Sequence, residues 1–220
     1  MTTQEQSLGD LVTVNPAAAK VFHRFQLDYC CGGTQSLAEA CVPRGLDPQT
    51  VLREIEAAGE KAPAEARWDE RPLGELIQHI LDRYHTPLKA ELPRLVELAR
   101  KVERVHGGKP GCPAGLADLL DQIRLEVASH LAKEEQILFP MILDGRGPMA
   151  RMPVQVMIRE HEDHGENLRC IRELTSGYAA PDYACASFRE LYRALAQLEV
   201  DLMDHIHLEN NILFPRALAG

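Results

Sequence analysis

The chain has 220 residues, of which 45% are hydrophobic and 26% are charged, an ordinary composition for a globular protein. Its formal net charge of −9 argues against a surface that binds the phosphates of nucleic acid or of an anionic membrane. Aromatic residues make up only 5%, so stacking of nucleobases on an aromatic platform is not expected either. We therefore expect no nucleic acid and no membrane among its partners.

The N-terminus and the hydropathy of the chain indicate its cellular compartment, and the compartment in turn indicates the state of its cysteines. The first residues contain no basic segment followed by an apolar run, and no apolar stretch reaches the length that spans a bilayer. These features predict a cytoplasmic protein, in which thiols stay reduced. The six cysteines are then not expected to form a disulfide framework, and without two CxxC pairs they do not indicate a zinc ribbon.

Residues 1–57 are predicted to form a small helical domain. Asn15-Pro16 is typical of a helix start, Gly32-Gly33 of a helical unit's end, and Asp47-Pro48 of another start. The block has few large apolar residues, so we expect it to depend on its neighbour for stability. Residues 58–71, rich in Ala, Gly, Pro and charge, are predicted to be a linker.

A second domain is predicted over residues 72–220. It contains four long helical patterns, at about 72–106, 114–143, 153–176 and 182–217, which Gly- and Pro-containing turns separate. No alternating strand pattern is present, so the fold class is all-α, with an up-down-up-down four-helix bundle after the small domain. Pro87 and Pro93 are expected to kink or unwind the first helix just past His85.

An internal repeat gives the main indication of function. The segment from His130 to Pro140 returns as the segment from His205 to Pro215, with His, Glu, Ile, Leu, Phe and Pro at matching positions. Residues i and i+4 share a helix face, so each copy directs an imidazole and a carboxylate at one point. A single His-x-x-x-Glu is more often a solvated pair, but its repetition favours a metal site.

The repeat extends upstream, because Ile80–His85 resembles Val156–His161. The predicted ligands are then His85, His130, Glu134, His161, His205 and Glu209. Six ligands exceed what one tetrahedral zinc takes, and they suit two iron ions that share bridging carboxylates.

Other polar residues lie close to these predicted ligands in the sequence. Glu126 and Glu160 are candidates for holding a ligand imidazole from behind, and a solvated carboxylate explains each equally well. His164 lies one turn from His161, but the repeat aligns His161 with His85 and so favours His161 as the ligand. His79 and His106 are expected to be solvated.

The sequence Leu27-Asp-Tyr-Cys30-Cys31-Gly-Gly33, the bundle, and the turn over 106–113 together resemble the Repair of Iron Centres family. Its members are hemerythrin-like di-iron proteins that restore iron–sulfur clusters damaged by nitric oxide or peroxide under stress. The resemblance implies a non-haem iron pair, oxo- or hydroxo-bridged, held by the four histidines and bridged by Glu134 and Glu209. It also implies damaged iron–sulfur proteins or cluster-assembly components as partners.

Cys30 and Cys31 have two explanations. An arbitrary cysteine pair is most often two small buried residues, but Gly32 and Gly33 allow close approach by a ligand, and adjacent cysteines close only a strained ring. By the resemblance they are thiols with a transfer or redox role.

The function itself leaves alternatives. Iron donation and the binding or reduction of nitric oxide both fit the iron pair, so enzymatic activity stays undecided. The alternative class is a hemerythrin-like sensor of oxygen, nitric oxide or redox state, and a third is a helical scaffold with an incidental metal.

Overall fold

The computed structural model describes residues 3–60 and 67–220, so the part of the predicted linker at 61–66 lies outside the described residues. Every regular element in the described ranges is a helix, which confirms the predicted all-α class. Among the helices of those ranges, none combines the length and the apolar content needed to cross a lipid bilayer.

Four α-helices form the described N-terminal part, with a short 3₁₀ helix, Val42–Arg44, directly after the third. They are α1 (Leu8–Val14), α2 (Ala17–Phe25), α3 (Leu37–Cys41) and α4 (Pro48–Gly59). Side-chain caps start three of them: Ser7 and Asp47 accept N–H groups of the first turns of α1 and α4, and Ser36 forms a capping box with Glu39 on α3.

Seven further helices follow. They are α5 (Leu73–Ile80), α6 (Thr86–His106), α7 (Leu116–Lys133), α8 (Phe139–Leu143), α9 (Arg151–Leu174), α10 (Ala186–His207) and α11 (Phe214–Ala219). Three π-helical turns join neighbouring helices without a break: Leu81–His85 joins α5 to α6, Glu134–Leu138 joins α7 to α8, and Leu208–Leu213 joins α10 to α11.

A proline follows each π-helical turn, at Pro87, Pro140 and Pro215. Proline donates no hydrogen bond and its ring collides with the carbonyl four residues earlier, and a wider turn relieves this. Accordingly the N–H of Thr86 bonds to Leu81 O, five residues back. The unwinding expected just past His85 therefore takes the form of a wide turn that ends at His85, and the α-helix resumes at Thr86.

The described chain divides into two compact units. The first contains Met1–Gln78, Ile142–Arg151 and Met203–Gly220, and the second contains His79–Met141 and Met152–Leu202. In the first unit, the N-terminal helices bury Phe22, Tyr29 and Leu37 in a shared core, against which Met203 packs. This core thus includes a residue from the C-terminal part of the chain.

The second unit is a ring of four helices linked by polar side-chain pairs. The links are Arg100–Asp121 between α6 and α7, Asn167–Glu126 between α7 and α9, Arg172–Glu199 between α9 and α10, and Arg94–Glu190 between α10 and α6. A further pair, His85 with Glu135, joins the π-helical turn before α6 to the one after α7 and shows that residue numbers rise along α6 as they fall along α7. Neighbouring helices are antiparallel, so the up-down-up-down bundle is confirmed.

Candidate metal centre

Four potential ligands lie buried together in the second unit: His85, His130, Glu134 and His161. His85 ends one π-helical turn and Glu134 begins another, while His130 and His161 lie on α7 and α9. Such wide turns recur at functional sites because they redirect side chains that a regular helix would place elsewhere.

The metal-binding atoms of these residues converge. His130 Nε2 lies 3.1 Å from His161 Nε2 and 3.4 Å from Glu134 Oε2, and His85 Nε2 lies 3.5 Å from the same oxygen. The ligand atoms of His130, Glu134 and His161 all lie within 4.8 Å of one another. A buried carboxylate ringed by imidazole nitrogens is costly unless a cation neutralises it, and this nitrogen and oxygen donor set fits iron.

A second carboxylate lies behind each of two ligand rings. His85 Nδ1 is 2.9 Å from Glu135 Oε1, and His130 Nδ1 is 2.9 Å from Glu160 Oε2. Such a contact fixes the ring and its tautomer and leaves Nε2 available to a metal.

Lysines neutralise the two outer carboxylates. Lys89 binds Glu135 and Lys133 binds Glu160. Burial raises the pKa of Glu135, but the bonds from Lys89 and His85 outweigh it, and the pKa is lowered overall. Glu135 thus stays a carboxylate at neutral pH and can accept the imidazole N–H.

Glu135 was not expected from the sequence, because the second copy of the repeat has Asn210 at the matching position. It could have been found from the hairpin geometry, because two antiparallel helices joined by the turn near Pro110 place residue 135 beside His85. Glu126 and Glu160 were the two candidates for supporting a ligand imidazole. Glu160 contacts His130 and not its chain neighbour His161. Glu126 accepts bonds from the amides of Gln122 and Asn167, away from the proposed ligand imidazoles.

The first unit contains the second copy of the repeat. His205 and Glu209 are both buried, and His205 Nε2 lies 3.0 Å from Glu209 Oε1. This i,i+4 pair has the arrangement of His130 and Glu134, as the repetition of the motif predicts. His207, two residues further, contacts Tyr29 and Asn211 instead.

Burial lowers the pKa of His207 to about 4, against a small raising effect of the Tyr29 backbone. His207 is therefore neutral at pH 7 and packs with the N-terminal helices.

Two histidine expectations need correction or refinement. His106 was expected to be solvated, which is wrong: it is buried, with Nε2 3.3 Å from Cys185 Sγ. The rings of Tyr183 and Phe188 pack against His106. The spacing of residues around His106 in the sequence does not predict this cover, because both rings come from a distant part of the chain. His164 is also buried, and its ring meets that of His130 edge-on at 5.0 Å.

The cysteine motif of the first unit forms a tight turn around Asp28. Asp28 Oδ1 accepts the N–H groups of Cys30 and Cys31 and lies 3.2 Å from Cys30 Sγ. The two sulfurs are 3.8 Å apart, with Cys30 buried and Cys31 partly exposed. The hydrogen bond with Cys31, then burial and the nearby negative charges, raise the pKa of Cys30 well above its usual value.

The C-terminal π-helical turn holds this motif in place. Asn210 Nδ2 donates to Cys30 O, and Asn211 Nδ2 donates to Tyr29 O. A Cβ on Gly33 would lie 2.5 Å from Asn211 Oδ1, so the close approach needs glycine there. Asp28 and the two asparagines were not expected from the sequence, since only the fold brings residues 28–33 and 210–211 together.

Two family profiles match the chain. The one described as hemerythrin HHE cation binding domain covers residues 76–217, and the one described as ScdA_N, a domain of unknown function (DUF542), covers residues 4–59.

Curated relatives are similar over the full length. The iron-sulfur cluster repair protein YtfE of Dickeya chrysanthemi is 46% identical over 220 residues, which is 100% of both chains. The protein of that name from Cronobacter sakazakii is 46% identical over 100% of this chain and 99% of its own. The one from Escherichia coli strain K12 is 45% identical over 100% of both.

Proposed function

The chain belongs to the hemerythrin HHE cation-binding family and to the YtfE-type iron–sulfur cluster repair proteins, and we propose that it restores damaged iron–sulfur clusters by means of an iron pair. The observation that supports the metal part is the buried cluster around Glu134: Nε2 of His85 and Nε2 of His130 lie within 3.5 Å of Glu134 Oε2, and His161 Nε2 lies 3.1 Å from His130 Nε2. The full-length similarity supports the repair part, with clusters damaged by nitrosative or oxidative stress as the substrate.

The proposed ligands of two iron ions are His85, His130, His161 and His205, with Glu134 and Glu209 as bridges. Three observations support this set. All six side chains are buried, each copy of the repeat pairs a histidine with a glutamate, and outer carboxylates orient the rings of His85 and His130. When bound, a ferrous pair of this kind supplies iron that can be released and open positions for nitric oxide or oxygen.

The protein's own residues prepare this site in a definite way. Glu135 and Glu160 hold the Nδ1 protons, so each imidazole faces the site with an unprotonated Nε2. Lys89 and Lys133 neutralise these outer carboxylates near the surface. The total negative charge close to the proposed iron pair is thereby limited.

Cys30 and Cys31 are proposed to handle the exchange with the damaged cluster. Their thiols can take up iron, a nitrosyl group or a sulfur species from a client protein. Cys31, the more accessible thiol, would make the first contact, while the Asp28 turn keeps Cys30 beside it.

The decisive experiment combines metal analysis with cluster reactivation on one preparation. About two irons per chain, and recovery of a nitric-oxide-damaged iron–sulfur enzyme when the protein is added, are expected. One tightly held zinc with no iron after aerobic reconstitution would exclude the iron pair. Reversible binding of nitric oxide or oxygen without enzyme recovery would favour the sensor function instead.

A further inference from the structure

A histidine–cysteine pair lies in the second unit, well away from the proposed iron ligands. His106 is the last residue of α6, Cys185 immediately precedes α10, and His106 Nε2 lies 3.3 Å from Cys185 Sγ. At 1.5 Å per residue, His106 is roughly 30 Å along the helix from His85. The pair therefore has no part in the proposed iron site.

The imidazole of His106 is held in one orientation. It is 5% exposed, and its ring packs against Tyr183 and Phe188 with centroids 5.8 and 5.3 Å away. Its Nδ1 is buried and has no hydrogen-bond partner within residues 3–60 and 67–220. The polar contact of this imidazole is therefore the one between Nε2 and the sulfur of Cys185. A neutral imidazole in that position can accept the thiol proton.

Cys185 is exposed and lies at the start of a long helix. Its carbonyl oxygen accepts the N–H groups of Phe188 and Arg189, which places the residue at the positive end of the 22-residue helix α10. Such a position lowers the cost of a negative sulfur.

Cations flank the same stretch of chain. Lys101 Nζ lies 3.0 Å from Ser187 Oγ, and the guanidinium of Arg189 donates to the carbonyl of Asp182. The carboxylate of Glu190 is taken up by Arg94 and Arg193.

We propose that Cys185 is a site of S-thiolation by low-molecular-weight disulfides, with His106 as its base. His106 Nε2 takes the thiol proton, and Sγ attacks one sulfur of the disulfide. A new S–S bond forms as the old one breaks, and the departing thiolate takes the proton from the imidazolium. One disulfide and one protein thiol become one mixed disulfide and one free thiol, so no further oxidant is needed.

This site goes beyond the proposed repair function and is separate from the Cys30-Cys31 turn. Cys30 is buried, and its hydrogen bond with Cys31 raises its pKa, so it is the poorer nucleophile. A disulfide from solution should therefore modify Cys185 before Cys30.

The test follows each cysteine separately in the iron-loaded, full-length protein. Glutathione disulfide is added at pH 7, samples are quenched with acid, and mass spectrometry of the peptides gives a rate for every cysteine. Cys185 is expected to react about tenfold faster in the folded protein than in the same chain unfolded in urea. An equal or lower rate in the folded protein would overturn the proposal, and this comparison needs no variant.

Variants then test the role of the imidazole. His106→Gln, with an unchanged helical circular dichroism signal and iron content, should lose that tenfold advantage, because glutamine cannot take the proton. His79→Gln, which removes a half-buried histidine elsewhere in the second unit, should leave the rate unchanged. If His106→Gln folds and keeps the wild-type rate, His106 is not the base and the proposed mechanism is wrong.

Discussion

Two proposed ligand histidines in the second unit each have a carboxylate at Nδ1, which identifies the acids that can orient a ring. Glu160 reaches His130 Nδ1, whereas Glu126, one turn before His130 on the same helix, bonds to Gln122 and Asn167. Sequence spacing alone made these two glutamates equivalent candidates. The difference arises on the neighbouring helix, because only an antiparallel α9 places residue 160 at the height of residue 130.

The first prediction compares these two residues. Glu160→Ala removes the acceptor that orients His130, so iron affinity should fall about 10- to 100-fold. Competition with a ferrous chelator, followed by absorbance, measures this affinity. Glu126→Ala is the matched control, since it removes an acid from the same pair of helices without touching a proposed ligand. Equal losses from both variants would show that general charge, rather than ring orientation, sets the affinity.

At the scale of the elements, the helices were largely predictable and their irregular turns were not. Asn15-Pro16 and Asp47-Pro48 marked real helix starts, because capping depends on a few adjacent residues. Gly32-Gly33 did not mark a helix end, since α2 already ends at Phe25 with Gln26 in the left-handed conformation. The three π-helical turns were missed except for a disturbance near Pro87. A π-helical turn needs a proline that disturbs the helix and tertiary packing that favours the wide turn over a kink. The sequence shows the proline but not the packing.

The second prediction concerns how the cysteine turn packs on the last π-helical turn. Gly33→Ala should destabilise the protein by about 1–3 kcal/mol, because the added Cβ would lie 2.5 Å from Asn211 Oδ1 and 2.7 Å from Tyr29 O. Urea unfolding of the iron-loaded protein measures the change. Gly74→Ala is the control: its Cβ would meet only Leu143 at 3.5 Å, and alanine in α5 should stabilise by roughly 0.5–1 kcal/mol. A neutral Gly33→Ala would mean that the asparagine moves without cost.

At the scale of the whole molecule, the sequence did not predict which distant segments share a compact unit. The boundaries 1–57, 58–71 and 72–220 stay a prediction, and the first compact unit groups the N-terminal helices with residues 203–220. Tyr29 Oη donates to Asp204 at 2.6 Å, and Asn211 bonds to Tyr29 O. These contacts join residues far apart in the chain, and helical periodicity carries no information about such pairs.

The third prediction concerns the metal and the stability of the whole chain. Without iron, Glu134 is left desolvated among imidazoles, and Glu209 is likewise buried, so the apoprotein should melt at a lower temperature. Each kcal/mol of lost binding energy should lower Tm by roughly 2–4 °C for a chain of this size. Calorimetry before and after anaerobic chelation measures the difference. Restoring iron should restore Tm, and an apoprotein that melts as high as the iron form would contradict the proposed ligands.

The fourth prediction separates iron binding from cluster repair. All six proposed iron ligands lie outside the N-terminal helices, whereas Cys30 and Cys31 lie in the turn that Asp28 and the C-terminal asparagines hold. Cys30→Ser with Cys31→Ser should therefore keep the iron content and the ferric absorption but lose most of the reactivation of a damaged cluster enzyme, because serine is a poor ligand for soft metals and a poor nucleophile. Cys170→Ser, on α9, controls for the loss of a thiol as such and should repair normally. If the double variant repairs at the wild-type rate, the two thiols serve packing alone, and the exchange with the client takes place at the iron site itself.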